Sequence, residues 1–303
     1  MKRIALFLLT NVAILAMLAL VVHLTGIDAW LAARGTPLGT LLVMAAIFGF
    51  AGSLLSLAMS KWMAIRSVGV QRIEHPGSAG EQWLLETVQS LAKRVGVGPP
   101  EVGIFPSAQP NAFATGASRN HALVAVSSGL LASLDRDEIE AVLGHELSHV
   151  ANGDMVTLAL LQGVLNTFVV LLSWIVGNIV DRSMSRDGEG RGVGYMATVW
   201  VTQIALGLLA SIVVMWFSRR REFRADAGGA RLAGRERMIA ALERLRSAEQ
   251  APLPAHMNAF GITGGESVWL ARLFMSHPPL EARIAALRAL PPGADASAAR
   301  PPQ

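Results

Sequence analysis

The 303-residue sequence contains no cysteine and a single tyrosine, and charged residues make up only 16% of it. The absence of cysteine excludes disulfides and thiolate ligands, so any metal must be held by histidine and carboxylate side chains. The scarcity of charge accompanies a hydrophobic content of 52% and a mean hydropathy of +0.44. Such an apolar composition is atypical of a soluble domain and predicts a membrane protein.

Four uncharged apolar runs are each long enough to cross a bilayer as a helix. They cover residues 4–24, 38–59, 155–180 and 193–218. The first run could instead be the core of a signal peptide, but its length and the closely following second run favour a retained span. Three polar residues inside the later runs are expected to hydrogen-bond between helices rather than to line a transport path: Gln162, Asn166 and Gln203.

Basic residues cluster at the outer ends of these runs. Lys2 and Arg3 precede the first run, Lys61 and Arg66 follow the second, and an arginine triplet at 219–221 follows the fourth. The net charge of +4 and the pI of about 10.3 are therefore attributed to residues beside the bilayer, and not to nucleic-acid binding. By the positive-inside rule, both pairs of spans are predicted to begin and end in the cytoplasm.

The segments outside the apolar runs are predicted to fold in the cytoplasm. Between the two pairs of spans, the pattern indicates a helix and three short strands at 81–95, 102–105, 112–115 and 122–127. After the fourth run it indicates helices at 235–247, 266–274 and 279–290. The predicted divisions are a transmembrane hairpin (1–60), a cytoplasmic part (61–154), a second transmembrane hairpin (155–218), a cytoplasmic helical part (219–290) and a disordered tail (291–303).

An H-E-x-x-H motif lies at residues 145–149. On a helix, His145 and His149 share one face one turn apart, where two imidazoles can bind a single zinc ion. Glu146 would then be placed to accept a proton from a water molecule on that ion. The alternatives are a chance match or the solvated face of an ordinary helix.

A helix around this motif is also predicted from its flanking residues. An apolar stripe recurs at steps of three and four residues. Asp135 and Glu138 have the spacing of a capping box at its start, and Asn152-Gly153 is a stop signal.

A third ligand is needed for an open catalytic zinc site. The third and fourth runs form a hairpin that returns the chain to the face it left, which brings the segment after it near the histidines. In that segment, Glu222 is predicted to be the third ligand, and Asp226 is predicted to accept the free ring N–H of a ligand histidine. The alternative is salt bridging of both acids to Arg221, Arg224 or Arg231 on a wet surface.

The 145–149 motif, the Glu222–Asp226 segment after a hairpin and the four-span layout together resemble the HtpX family. This family comprises zinc metalloproteases of the bacterial inner membrane and is related to the CAAX prenyl proteases. The resemblance extends over nearly the whole chain, from about residue 2 to residue 290. It implies a gluzincin-type endopeptidase with three zinc ligands and a catalytic glutamate: His145, His149, Glu222 and Glu146.

The resemblance also implies a biological role. It predicts protein quality control and stress response, with damaged or misfolded membrane proteins cleaved at the cytoplasmic face. Membrane quality-control proteins would be further partners.

Two more segments resemble family patterns. Residues 111–114, Asn111-Ala112-Phe113-Ala114, resemble an N-A-F-A segment that forms an edge strand beside the zinc, to which an extended peptide could add. The alternative is an ordinary hairpin strand. Residues 277–283 resemble an H-P-x-x-x-x-R segment, which implies that His277 donates to an oxyanion and that Arg283 pairs with Asp226. The alternative places His277 at a helix start before proline and Arg283 on a solvated face.

The predicted fold is a mainly α membrane protein with four transmembrane helices and a cytoplasmic α+β, zincin-like domain with a small β-sheet. The predicted function is that of a zinc endopeptidase with one Zn²⁺ per chain. One alternative is a membrane scaffold or regulator that binds zinc without cleaving. A zinc carrier is disfavoured because His23 is the one histidine in the apolar runs. A prenyl-protein protease is disfavoured because four spans do not obviously enclose a chamber.

Overall fold

A computed structural model describes residues 20, 23–24, 26–33, 35, 37–184, 193–249, 275 and 277–291 of the chain. The predicted first span, the predicted helix 266–274 and the predicted disordered tail lie outside these residues, apart from positions 20, 23 and 24 of the span and position 291 of the tail. The elements are α1 (Ile27–Ala32), α2 (Leu38–Val68), β1 (Gln71–Arg72), α3 (Ala79–Val95), β2 (Glu101–Phe105), β3 (Ala112–Thr115), β4 (Leu123–Ser127), α4 (Ser128–Ser133), α5 (Arg136–Asn152), α6 (Asp154–Met184), α7 (Val193–Ala233), α8 (Arg235–Glu249) and α9 (Leu280–Arg288).

The protein is mostly helical, with one small mixed sheet in the order β1-β2-β4-β3. The central pair, β2 and β4, is parallel, and both outer pairs are antiparallel. All five residues of β4 are buried, as expected for a central strand made of one apolar run. Among the described residues, β3 therefore lies at an edge of the sheet, as the family resemblance implied.

The two faces of β4 contribute to different apolar clusters because successive side chains of a strand alternate. Val124 and Val126 face the main core, where helices α3, α5, α8 and α9 pack together. Leu123 and Ala125 face a smaller cluster with Phe105. The main core contains the largest fully buried side chains of these helices, including Leu84, Leu91, Leu143, Leu147, Met238, Leu242 and Leu287.

Three helices among the described residues are long and apolar enough to cross a membrane: Leu38–Val68, Asp154–Asp181 and Val193–Ala233. Large apolar side chains on them are exposed, such as Phe48 at 56% and Trp200 at 60%. A surface of this kind is suited to lipid, where exposed apolar groups carry no hydration cost. The three spans correspond to the second, third and fourth predicted runs.

The apolar helices approach one another closely at glycines. A β-carbon on Gly49 of α2 would lie 2.8 Å from the carbonyl oxygen of Gly163 on α6. Further along α6, a β-carbon on Gly177 would lie 2.6 Å from a methyl group of Val199 on α7. Small residues at such crossings allow the close backbone contact that holds helices together in lipid.

Two helices extend well beyond the apolar runs from which they were predicted. The second run was expected to end at 59 and the fourth at 218, but α2 and α7 continue to Val68 and Ala233. Proline does not interrupt either extension, and each helix ends before a glycine with positive φ, Gly69 or Gly234. The short helices α1 and α4 and strand β1 were not predicted at all.

The described residues divide into two compact units. Those of Met1–Ser56 and Thr157–Val214 form the first, which holds most of the apolar helices. Those of Leu57–Val156 and Met215–Gln303 form the second, which holds the sheet and its helices. The division into functional domains given above stays a prediction.

Candidate metal centre

The H-E-x-x-H motif lies on α5, and the helix has the predicted ends. The Asp135 side chain accepts a hydrogen bond from the Glu138 N–H at 2.8 Å, and the Glu138 carboxylate accepts one from the Asp135 N–H at 3.0 Å. These reciprocal bonds confirm the capping box. Gly153, with φ 68°, ends the helix in the left-handed conformation. The motif therefore lies on a helix that is well defined at both ends.

The two histidines of the motif point their Nε2 atoms at one place. His145 Nε2 and His149 Nε2 are 3.2 Å apart. Glu222, on α7, joins them: its carboxylate oxygens lie 3.2 Å from His149 Nε2 and 3.6 Å from His145 Nε2. Its side chain is only 3% exposed, so the alternative of a wet surface for this acid is wrong. The three predicted ligands thus converge within one buried cluster.

This cluster fits a zinc ion in geometry and in chemistry. Two nitrogens bound to one tetrahedral zinc at about 2.05 Å should be about 3.3 Å apart, close to the 3.2 Å between the two Nε2 atoms. Two imidazoles and one carboxylate form a ligand set that zinc enzymes use. The fit rests on distances between side-chain atoms of two histidines four positions apart and of Glu222, which is more than 70 positions further along the sequence.

The electrostatic field of the cluster favours positive charge. Burial lowers the pKa of His149, but its hydrogen bonds to Asp154 and Glu222 outweigh burial and raise this pKa to about 10. Burial also opposes the charged form of His145, and hydrogen bonds to Asp226 and Glu222 again prevail and raise its pKa. A divalent cation would supply the positive charge that these carboxylates favour.

Asp226 contacts His145, the first histidine of the motif, on the side of the ring away from the cluster. Its carboxylate lies 2.9 Å from His145 Nδ1, the nitrogen that faces away from the cluster. Arg283 on α9 donates two hydrogen bonds to the same carboxylate, at 2.8 and 2.6 Å. Both side chains are buried, so neither lies on the solvated face that the alternatives required. The predicted Asp226–Arg283 pair is present in the structure.

The second histidine has a matching partner that the sequence patterns did not indicate. His149 Nδ1 lies 2.7 Å from a carboxylate oxygen of Asp154, the first residue of α6. Arg221 donates to the main-chain oxygen of Asp154 at 3.0 Å and is 5% exposed. Of the basic triplet at 219–221, this arginine is therefore not available to the membrane surface, contrary to the prediction for the triplet as a whole.

Glu146 and His277 complete the set of polar groups. Glu146 is half-buried and makes no hydrogen bond or ion pair with any residue that the structure describes. His277 lies just before α9, with Nδ1 2.6 Å from a Glu222 oxygen and a side chain that is 61% exposed. The structure thus places His277 beside Glu222, the predicted acidic ligand, although the two residues come from separate segments of the sequence.

The predicted peptide-binding strand, β3, lies next to the same helix. It packs near α5 and pairs on one side only, with β4, among the described residues. Before it, the main-chain oxygen of Asn111 accepts from the Ser127 N–H at 2.8 Å. The strand is therefore both paired to its neighbour, as in the hairpin alternative, and open at its other edge.

Comparison with known proteins agrees with this arrangement. The model of peptidase family M48 matches residues 78–290, which is more than half of the chain. The chain belongs to peptidase family M48. It is 61% identical over 290 residues to the Protease HtpX homolog of Thiobacillus denitrificans, covering 96% of this chain and all of that protein. It is 58% identical over 293 residues to Protease HtpX of Thioalkalivibrio sulfidiphilus, covering 96% and 99%.

These matches confirm the resemblance to the HtpX family that the motifs indicated, and this M48 peptidase is a membrane metalloprotease. Family membership also favours a protease over the non-cleaving scaffold. Among solved structures, Ste24p of S. mikatae has the same fold, with a TM-score of 0.57 at 19% identity over 91% of this chain and 67% of that one.

Glycines at the crossing of α5 and α7 were not indicated by the sequence patterns, yet they bring the predicted ligands together. A β-carbon on Gly228 would lie 2.6 Å from Cβ of Ser148. One on Gly229 would lie 3.1 Å from the main-chain nitrogen of His145. The two helices can cross this closely only because side chains are absent there, and the crossing places Glu222 against the histidines.

Proposed function

We propose that this membrane metalloprotease binds one zinc ion through His145, His149 and Glu222 and hydrolyses peptide bonds with Glu146 as general base. The observation that carries the proposal is the convergence of the two Nε2 atoms, 3.2 Å apart, on the buried Glu222 carboxylate. It is supported by the Asp226 carboxylate at His145 Nδ1, which favours Nε2 as the nitrogen of that ring that would face the metal.

The proposed mechanism assigns a task to each remaining polar group. A zinc ion held by this set would polarise the scissile carbonyl and lower the pKa of a water molecule in the site. Glu146, which is half-buried and unpaired among the described residues, accepts the proton of the attacking water and passes it to the leaving amine. With both ring nitrogens protonated, His277 can contact Glu222 through Nδ1 and donate from Nε2 to the oxyanion of the tetrahedral intermediate.

The test uses the full chain purified in detergent with a chelator and supplied with casein. Cleavage is expected only after zinc is added back, with one metal ion bound per chain. Glu146→Gln should retain the metal and lose activity by about 10² to 10⁴-fold, the usual contribution of a general base. Glu140→Gln, a partly exposed carboxylate on the same helix that pairs with Arg237 away from the cluster, is the matched control and should cleave like the parent. Undiminished cleavage by Glu146→Gln would contradict the mechanism.

We further propose that the substrates are misfolded or damaged membrane proteins, cleaved at the cytoplasmic face of a bacterial inner membrane. The orientation is supported by basic residues next to the apolar helices, namely Lys61 and Arg66 on α2 and Arg220 on α7. All of the proposed ligands belong to the unit that contains these residues. A prenylated peptide in the same assay tests the other substrate class, and its preferential cleavage would overturn the proposal.

A further inference from the structure

The carboxylate of Asp154 makes a short contact with the second histidine of the motif. Its oxygen lies 2.7 Å from His149 Nδ1, and the two side chains are 8% and 14% exposed. An ionised carboxylate can only accept, so when the ring is neutral, as a metal ligand must be, this contact assigns its one proton to Nδ1 and leaves the Nε2 lone pair facing Glu222 and His145. That lone pair is the one that a metal ion in the cluster requires.

The local backbone explains how a residue five positions after His149 can reach back to it. Gly153, between the two helices, has φ 68°, a conformation that costs little only for glycine. The chain reverses there, and Asp154 becomes the first residue of α6. An acidic residue in a first helical turn is also stabilised by the unpaired N–H groups of that turn.

Arg221 approaches Asp154 from the other end of the same hairpin. Its Nη1 donates to the Asp154 main-chain oxygen at 3.0 Å and lies 4.0 Å from a carboxylate oxygen. Its Nη2 donates to the Ser218 hydroxyl at 3.2 Å. Its buried Nε finds no partner among the described residues. Because one donor of this buried guanidinium is unpaired, its remaining contacts must hold Arg221 in place. Of the two residues that make these contacts, Asp154 is the charged one.

The arrangement repeats the one around the first histidine. There, Asp226 contacts His145 Nδ1 at 2.9 Å and Arg283 contacts Asp226. Each histidine thus has its own carboxylate, and each carboxylate has its own buried arginine. The two aspartates do not belong to a repeated sequence motif. The repetition instead reflects that each imidazole requires an acceptor for its Nδ1 proton.

We propose that Asp154 is a positioning residue of the metal centre, which fixes the tautomer and the orientation of His149, and that Arg221 holds Asp154 for this task. The inference rests on the metal centre proposed above. Hydrogen-bond partners of this type typically change metal affinity by about 10 to 100-fold when they are removed.

The test measures the zinc dissociation constant of the full chain in detergent by competition with a chelator. Asp154→Ala should weaken zinc binding by about 10 to 100-fold. Asp154→Asn keeps a similar volume and an acceptor without charge, so its effect should be smaller. Asp137→Asn, an exposed carboxylate on α5, is the control and should bind like the parent. The melting temperature of the metal-free variants identifies any loss of affinity that comes from unfolding.

A second readout reports the ligand geometry directly. With Co²⁺ in place of zinc, both Asp154 variants should shift the visible absorption bands, whereas the Asp137 control should not. Adding Arg221→Gln to Asp154→Ala should change affinity by less than about twofold, because a residue that acts through another has no effect once that residue is gone.

The outcomes separate the two proposals. If the parent binds no zinc, or His149→Ala binds as tightly as the parent, the proposed metal centre is wrong and the role of Asp154 is wrong with it. If the parent binds one zinc, His149→Ala loses it, and folded Asp154→Asn and Asp154→Ala bind within twofold of the parent with unchanged cobalt spectra, the metal centre stands and the role of Asp154 is overturned.

Discussion

Arg283 donates two hydrogen bonds to the carboxylate of Asp226, although the residues lie 57 positions apart in the sequence. The pair is buried, and the Asp226 carboxylate also lies 2.9 Å from Nδ1 of His145. Burial opposes the charge of Arg283, but the hydrogen bonds and charge of Asp226 outweigh burial and raise its pKa. The pair therefore joins the last described helix to a proposed zinc ligand through two charges that depend on each other.

Removing one member of this pair should destabilise the fold. Arg283→Met would leave Asp226 buried with one partner fewer, and losses of this kind typically cost about 3 to 5 kcal/mol. For a chain of this size, we expect the melting temperature to fall by roughly 10 °C. Thermal unfolding of the metal-free protein, followed by circular dichroism, measures the change.

Arg288→Met on the same helix is the matched control for that measurement. Arg288 pairs with Glu243 at 2.7 Å, but its side chain is 63% exposed. An exposed pair contributes at most about 1 kcal/mol, so this variant should melt within a few degrees of the parent. Equal melting temperatures for the two variants would show that the buried pair contributes no more to stability than the exposed pair.

Gly228 should not tolerate a side chain, because α5 and α7 cross there. The new β-carbon of Gly228→Ala would lie 2.6 Å from Cβ of Ser148, and rotation of the serine side chain cannot relieve a contact between two β-carbons. We expect a destabilisation of about 1 to 3 kcal/mol, which is typical of overpacking, and weaker zinc binding because Glu222 moves away from the histidines. Thermal unfolding and chelator competition measure the two effects.

Gly207→Ala provides the control on the same helix, since a β-carbon there meets nothing within 4 Å. Alanine also has a higher helix propensity than glycine, so this variant should be at least as stable as the parent. If both alanine variants bound zinc like the parent, the close crossing would not be what positions Glu222.

The motif helix was predictable because its signals are local. The capping residues Asp135 and Glu138, the apolar stripe and Gly153 all lie within about 20 positions, and the structure has the helix between them. Glu222 was predictable for a different reason: a hairpin must return the chain to its starting face, whatever the packing in between. Both inferences required only sequence spacing and chain connectivity.

The residues that were missed depend on tertiary geometry. Asp154 reaches His149 only because of the left-handed turn at Gly153, which sequence spacing does not reveal. Gly228 matters because of one atomic contact with another helix. Arg221 has the sequence context of a membrane-surface residue but is buried, because its partner is brought close by folding. Local patterns carry no information about such contacts.

The orientation in the membrane can be tested with single cysteines, since the natural chain has none. Ser90→Cys lies on an exposed position of α3, and Ala33→Cys lies in the link between the first two predicted spans. If the catalytic unit faces the cytoplasm, a membrane-impermeant maleimide should label Ala33→Cys in intact spheroplasts and Ser90→Cys only after lysis. The reverse pattern would place the catalytic unit on the outer face.

The open edge of β3 gives the most specific prediction about substrate binding. In an antiparallel pair, alternate residues direct their N–H and C=O groups to the partner strand. Asn111 bonds to Ser127, so the register leaves the main-chain groups of Ala112 and Ala114 directed outward. An extended substrate that adds to this edge would accept a hydrogen bond from the Ala114 N–H.

Ala114→Pro removes that donor, and proline is tolerated at an outward-facing position of an edge strand. Loss of one main-chain hydrogen bond of about 1 kcal/mol should raise KM for an unfolded substrate by roughly fivefold. Zinc affinity should stay the same, because the strand contributes no ligand. Ala114→Val keeps the N–H and is the control for side-chain size, with KM close to that of the parent. If both variants raised KM equally, the side chain and not the strand edge would contact the substrate, and peptide addition at β3 would be ruled out.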